Sequence, residues 1–223
     1  MNSYNTILFD FDGTIMNTNE VIIQSWQHTF RIVEGRERPI EEIIRTFGEP
    51  LGITMKKVLP HIPVEEGVEI YRSFHRENFG DLIKLFPGVK ELLSDLKQER
   101  YMLGLVTSRL ASTTYEGMEK YGIQSYFDCI ITADDTKKHK PDPEPLNIAL
   151  ERLDAGPKEA LFVGDSMFDI NCARNAGVKS VLVGWALAVT DEEKSGPQGP
   201  DFIIQRTDDL WDLLSGKINR LYR

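Results

Sequence analysis

Five short runs of apolar residues punctuate the chain: TILFDF (6–11), MLGLVT (102–107), CIIT (129–132), ALFVGD (160–165) and SVLVGW (180–185). DFIIQ (201–205) is a weaker sixth. Runs of this length without polar alternation predict strands buried on both faces. Between the later runs, residues 88–99, 111–121, 144–154, 167–176 and 208–216 space their apolar positions three and four apart, which predicts amphipathic helices. Strand and helix in alternation predict a three-layer α/β/α core, a mostly parallel sheet covered by helices.

The first and second runs are separated by residues 12–101, far more than one crossover helix needs. This interval has helical periodicity of its own. NEVIIQSWQHTFRIV places Val21, Ser25, His28 and Ile32 on one face, with Ile22, Trp26 and Phe30 beside them, and the pattern continues in PIEEIIRTFG, LGITMKKVL and EEGVEIYRSFHRENFGDL. Pro39 fits a helix first turn, and Gly35, Gly48 and Gly80 fit breaks. The expected organisation is an α/β core built from residues 1–16 and 84–223, interrupted by an all-helical domain at 17–83. The chain re-enters the core at LFPGVKELLSDL, where Pro87 starts a helix, and DEEKSGPQGP (191–200) reads as a surface loop.

Composition narrows the function. With 41% hydrophobic and 27% charged residues among 223, the chain is an ordinary globular one. Its net charge of -9 argues against a nucleic-acid or anionic-membrane surface, because phosphate backbones demand clustered Lys and Arg. A small anionic substrate held by a few local cations remains compatible. Cys129 and Cys172 are too few for a disulfide framework and read as small buried hydrophobes. No basic-then-apolar leader and no apolar run near ~20 residues is visible, so a cytoplasmic protein, monomer or homodimer, is expected.

Open parallel sheets bind ligands beyond the carboxyl ends of their strands. The first run ends in Asp10 and Asp12, the second in Thr107-Ser108-Arg109, and ALFVG in Asp165-Ser166 with Asp169 one helical turn beyond. After CIIT comes ADDTKKHKPDPEP, where Lys140 is favoured over Lys137 and Lys138 because it directly precedes the Pro-Asp-Pro that starts a helix. Three or four carboxylates in one cleft raise one another's pKa and need a counter-charge. A hard divalent cation supplies it, and Mg²⁺ suits a few carboxylate oxygens completed by water and phosphate oxygen. Lys140 and Thr107 would hold non-bridging phosphate oxygens. Gly13 would let the backbone turn and present amide N–H groups to the same anion. Asp10 would attack, while Asp12, carried past the strand end, donates and later accepts a proton. Plainer roles stand beside these: turn-capping for Asp10 and Asp12, helix-capping for Asp165 and Asp169, and an exposed charge for Arg109.

DFDGT (10–14), Thr107 in VTSR, Lys140 in KHKPDPEP and GDSMFD (164–169) resemble, in order and spacing, the four motifs of the haloacid dehalogenase superfamily. The inserted helices resemble that superfamily's helical cap, and the remainder its Rossmann-like core. The resemblance implies Asp10 as a nucleophile forming an aspartyl-phosphate and Asp12 as acid/base. It implies Mg²⁺ held by the side chains of Asp10 and Asp165 and the carbonyl of Asp12, phosphate gripped by Thr107 and Lys140, and Asp169 orienting a metal-bound water.

Within the superfamily, the dehalogenases and phosphonatases lack the second aspartate that this chain has at Asp12. The beta-phosphoglucomutases carry a cap histidine twelve residues after the nucleophile, where this chain has Ile22. NTNEVIIQSWQHTF and TADDTKKHKPDPEP resemble the inorganic pyrophosphatases of the phosphoglycolate-phosphatase-like group. The expected activity is therefore a Mg²⁺-dependent phosphatase acting on a small anionic phosphate compound, inorganic pyrophosphate first and 2-phosphoglycolate as the alternative. A phosphosugar mutase and a non-catalytic phospho-ligand binder follow. Ser108 is a further candidate phosphate contact, and candidate specificity contacts are Arg109 after the second run and Arg45, Gly48, Glu49 and Pro50 in the loop RTFGEPLG. His28, His61, His75 and His139 lack metal-ligand spacing and read as structural or surface residues, and Trp26 reads as helical-domain core.

Overall fold

The computed structural model describes residues 4–216. Its first strand, β1 (Thr6–Phe9), is buried at all four positions. A two-residue strand β2 (Met16–Asn17) leads into four helices, α1 (Asn19–Glu34), α2 (Ile40–Ile44), α3 (Leu51–Val58) and α4 (Val64–Leu82). The chain returns through β3 (Lys84–Leu85) and α5 (Val89–Gln98). Alternation then follows: β4 (Met102–Val106), α6 (Ala111–Tyr121), β5 (Cys129–Ile131), α7 (Glu144–Arg152), β6 (Ala160–Gly164), α8 (Met167–Ala176) and β7 (Lys179–Val183). It ends in α9 (Asp191–Ser195), β8 (Phe202–Ile204) and α10 (Asp209–Leu214).

Six strands form one sheet in the order β5-β4-β1-β6-β7-β8, every neighbouring pair parallel. Because side chains alternate across a strand, β1 feeds two cores. Ile7 and Phe9 join Leu92, Leu93 and Leu96 of α5, Met118 of α6 and Leu210 of α10 on one face. Leu8 joins Leu146 and Leu150 of α7 and Ala173 of α8 on the other. The expected three-layer α/β core is the observed one. Winding runs outward from β1 through β4 and β5, then restarts on its other side at β6. Such a reversal opens a crevice above the central strand.

The helices α1 to α4 lie between β2 and β3, which pair antiparallel with Met16 opposite Leu85. They share a cluster of Trp26, Phe30, Ile43, Phe47, Met55, Leu59 and Tyr71. Trp26 stacks on Phe30 at 5.5 Å and meets the edge of Tyr71 at 5.3 Å. The buried arc of α1 is Val21, Ser25, Trp26, Thr29 and Phe30, while Ile32 is 62% exposed. His28 instead stacks on Phe74 of α4. Gly35 ends α1 with φ +70° as a break should. Gly80 does not break α4, which continues to Leu82, held by the burial of Tyr71, His75 and Phe79 along one stripe. The expected loop at 191–200 contains α9, started by the Thr190 side chain accepting the Glu193 N–H at 3.2 Å. Cys129 and Cys172 are both buried and free. Among the described residues no helix is long and apolar enough to cross a membrane.

Candidate active site

Asp10 continues β1 by donating its N–H to Val163 O at 2.9 Å, so its carboxylate projects from the end of the central strand. The chain then turns at Gly13, whose φ is +71°. A Cβ there would stand 2.0 Å from Asp165 Oδ2, so conformation and space both demand glycine. The Trp185 indole donates to Gly13 O at 3.0 Å and pins this turn. Thr107 continues β4 through its N–H to Ile131 O at 2.9 Å, and its hydroxyl accepts the Arg109 N–H at 3.1 Å. Asp165 follows β6. Ser166 caps α8, and Asp169 accepts from the Ser166 N–H at 3.0 Å and from its hydroxyl at 2.6 Å, a reciprocal capping box.

Three ion pairs, made by two cations, organise the charges. Lys140 Nζ, 5% exposed, bridges Asp10 Oδ1 and Asp169 Oδ1, both at 2.6 Å. Arg109 clamps Asp12, with Nε 3.0 Å from Oδ2 and Nη2 2.8 Å from Oδ1. That guanidinium lies over Phe79 at 4.6 Å, and Nη2 is 3.4 Å from His75 Nε2. Burial pushes the Asp10 carboxyl up to about 7, with Asp169 and Asp12 adding to the shift and Lys140 opposing it. Burial likewise raises Asp165 well above the usual carboxylate range, helped by Asp169 and Asp10. Asp12 goes the other way: burial alone would raise it, but Arg109 outweighs that and holds it low. Burial and Arg109 push His75 down to about 4, leaving a neutral ring.

One carboxylate oxygen from each of Asp10, Asp165 and Asp169 lies within 4.8 Å of the others. They are not equivalent. Both oxygens of Asp169 are engaged by Lys140 and Ser166. Asp165 is 7% exposed, and among the described residues none donates to its carboxylate. A buried carboxylate without a donor, beside a second acid already raised, fits a divalent cation. Asp10 and Asp165 have oxygens to offer it. The side chain of Asp12 is committed to Arg109, which leaves its backbone carbonyl.

These groups open onto a cavity of about 510 Å³. Its strand-end wall includes Asp10, Asp12, Gly13, Thr107, Ser108, Lys140 and Asp165, and its helical wall Gly48, Glu49, Pro50, Tyr71, Arg72 and His75. Gly48, with φ +82°, leaves room for Ser166 Oγ, which a Cβ would meet at 2.8 Å. Glu49 accepts from the Thr54 hydroxyl at 2.9 Å and pairs with Lys57, so its charge is matched by α3. Arg45 is exposed after the end of α2 and takes no part in the wall, contrary to expectation. Arg109 is no free surface charge, since its side chain is 8% exposed. Trp26 is buried in the helical cluster yet also borders the cavity, as does His139. Three residues escaped sequence reasoning: Arg72, His75 and Trp185. For the first two a signal existed, because positions 72, 75 and 79 share one helix face, but the apolar stripe around them masked it. No local pattern ties Trp185 to Gly13.

The family model of the haloacid dehalogenase-like hydrolases matches residues 7–183. Pyrophosphatase PpaX of Bacillus mycoides is 38% identical over 214 residues, which is 95% of this chain and 97% of its own length. A haloacid dehalogenase-like hydrolase from Streptococcus pneumoniae superposes with a TM-score of 0.83 at 26% identity, covering 96% of this chain and 99% of that one. A Lactobacillus plantarum protein provisionally named phosphoglycolate phosphatase gives 0.82 at 28% identity, covering 95% and 99%. With the parallel sheet, the strand-end acids and a family match over most of its length, the chain belongs to the haloacid dehalogenase-like hydrolases.

Proposed function

We propose that this phosphohydrolase is an inorganic pyrophosphatase that works through an aspartyl-phosphate on Asp10. The observation that carries the reading is the convergence of Asp10, Thr107, Lys140 and Asp165 at neighbouring strand ends on one cavity. Likeness to Pyrophosphatase PpaX along nearly the whole chain favours pyrophosphate over 2-phosphoglycolate as substrate. Asp10, Asp165 and the Asp12 carbonyl would hold Mg²⁺, which when bound offsets the negative charge shared by the acids and the phosphate. Asp169 is a positioning residue: it fixes Lys140 and the start of α8.

In this scheme Lys140, Thr107 and Ser108 hold the phosphoryl oxygens, whereas Gly13 only shapes the turn: contrary to expectation its own N–H is donated to Met16 O at 2.8 Å. An Asp10 oxygen bonds to phosphorus, the bond from phosphorus to the leaving oxygen breaks, and that oxygen takes a proton from Asp12. In the second half Asp12 removes a proton from water as it attacks the aspartyl-phosphate, freeing phosphate and Asp10. The Arg109 clamp keeps Asp12 ionised, the state the second half needs. For the first half the clamp must loosen, and a second phosphate offers Arg109 another partner. Residues 17–83 act as a cap that excludes bulk water during transfer.

Phosphate release tests this reading, measured with millimolar Mg²⁺ on pyrophosphate, 2-phosphoglycolate, phosphosugars and nucleotides, with Asp10→Asn alongside. Pyrophosphate should show the highest kcat/KM. Preference for phosphoglycolate would replace the substrate, and equal release by wild type and Asp10→Asn would remove the mechanism.

A further inference from the structure

The helical wall carries a cation that this mechanism does not use. Arg72, His75 and Phe79 fall at i, i+3 and i+7 of α4 and so share a face. Phe79 lies beneath the Arg109 guanidinium and His75 lies beside it. Arg72 sits one turn further along, about 5 Å of helix rise, and lines the same cavity. Charges near it are already matched. Arg109 is held by Asp12, Arg76 by Glu69 at 2.8 Å, and Glu49 by Lys57. Arg72 is half-buried, and among the described residues no carboxylate pairs with it. His75, neutral through burial, brings no charge to it.

We infer that Arg72 is a specificity-determining residue that, with Arg109, holds the second anionic group of the substrate, the part beyond the phosphoryl group under attack. The inference rests on the phosphohydrolase reading above and names what selects its substrate. Attack at phosphorus occupies Lys140 and Thr107 on the strand-end wall. A phosphate or carboxylate further out meets the α4 face, where a planar guanidinium offers paired donors of matching geometry. Pyrophosphate and 2-phosphoglycolate both carry such a group, whereas p-nitrophenyl phosphate does not.

The test is kcat/KM for wild type, Arg72→Gln and Arg72→Lys on those three compounds. In Arg72→Gln the ratio of the two substrates with a second anionic group to p-nitrophenyl phosphate should fall about 10- to 100-fold, chiefly through KM, since one charge-assisted contact is lost. Arg72→Lys should recover part of it, keeping the charge without the fork. An unchanged ratio overturns the inference, and so does equal loss on all three, the mark of a structural role. If wild type hydrolyses phosphoglycolate and not pyrophosphate, the pyrophosphatase reading falls and the phosphoglycolate ratio decides Arg72. Wild type active on p-nitrophenyl phosphate alone refutes both.

Discussion

The two walls of the cavity hold charge in opposite ways. On the strand-end wall Asp10, Thr107, Lys140 and Asp165 are each at most 7% exposed, and the backbone of a sheet edge fixes where they point. On the helical wall Gly48 and Glu49 belong to a loop, and Arg72 and Arg76 line a helix face with solvent beside them. Low dielectric strengthens every interaction on the first wall and makes each unpaired charge there costly. The second wall can shift or swap partners at little expense. On the proposed function, chemistry belongs to the buried wall and selection to the other, and substitutions should separate the two.

The largest effect is expected from Asp10→Asn: turnover falls by about four orders of magnitude or more, as for loss of a nucleophile. Stability should move the other way. Asp10 sits near 7 in the folded chain against an ordinary value of 3.8, so the metal-free native state binds more protons than the unfolded one between these values. Stability then declines as pH rises through that window, and Asp165 acts in the same direction. In chelator, Asp10→Asn should melt higher than wild type at pH 8 and alike near pH 5, where the wild-type carboxyl is protonated. Millimolar Mg²⁺ should raise the wild-type melting temperature most at the higher pH. A wild-type melting curve in chelator that is flat from pH 5 to 8 would mean the acids carry no such strain.

Lys140→Met should come next, on stability as well as rate. It leaves Asp10 and Asp169 facing each other without their shared cation, and breaking a buried pair costs about 3–5 kcal/mol. Denaturant unfolding of the metal-free protein measures it. A loss below about 1 kcal/mol, the range of exposed pairs, would show that water or a shared proton replaces the lysine, and that this wall is less closed than the burial of its side chains implies.

The same contrast explains what could be read before the structure. Strand ends are legible because apolar runs stop at them: Asp10, Thr107 and Asp165 each terminate an unbroken run, and the sheet can only bring such ends together. Lys140 was accessible through the Pro-Asp-Pro that follows it. Pairings across the fold were not. Arg109 on Asp12 spans 97 positions and Trp185 on Gly13 spans 172, and no local pattern encodes either. The helical wall hid its residues differently. His75 and Arg72 sit inside an amphipathic repeat, where a residue facing a cavity and one facing a core have the same spacing. Arg45, conspicuous in its loop, points to neither.

Gly48→Ala probes the contact between the walls. Left-handed backbone costs an alanine about 1–2 kcal/mol, and its Cβ would press on Ser166 Oγ and Cβ at 2.8 and 2.9 Å. The loop should back away from α8, lowering kcat/KM about tenfold while the metal-dependent rise in melting temperature persists, because Asp10 and Asp165 are untouched. Loss of that rise as well would mean that the loop orders the acids and the two walls are one unit.

Arg45→Ala should do least, and its small effect is informative. The side chain is exposed after α2, outside the cavity wall, so kcat/KM should stay within about twofold, the scatter of surface substitutions away from special features. Arg72→Gln removes the same kind of group from the same helical region and differs in what it faces. If both variants lost pyrophosphate selectivity alike, the helical wall would be acting through its overall positive field, which raised salt would weaken. If only Arg72→Gln does, selection depends on one guanidinium in one place, and added salt should leave most of the difference between the two variants intact.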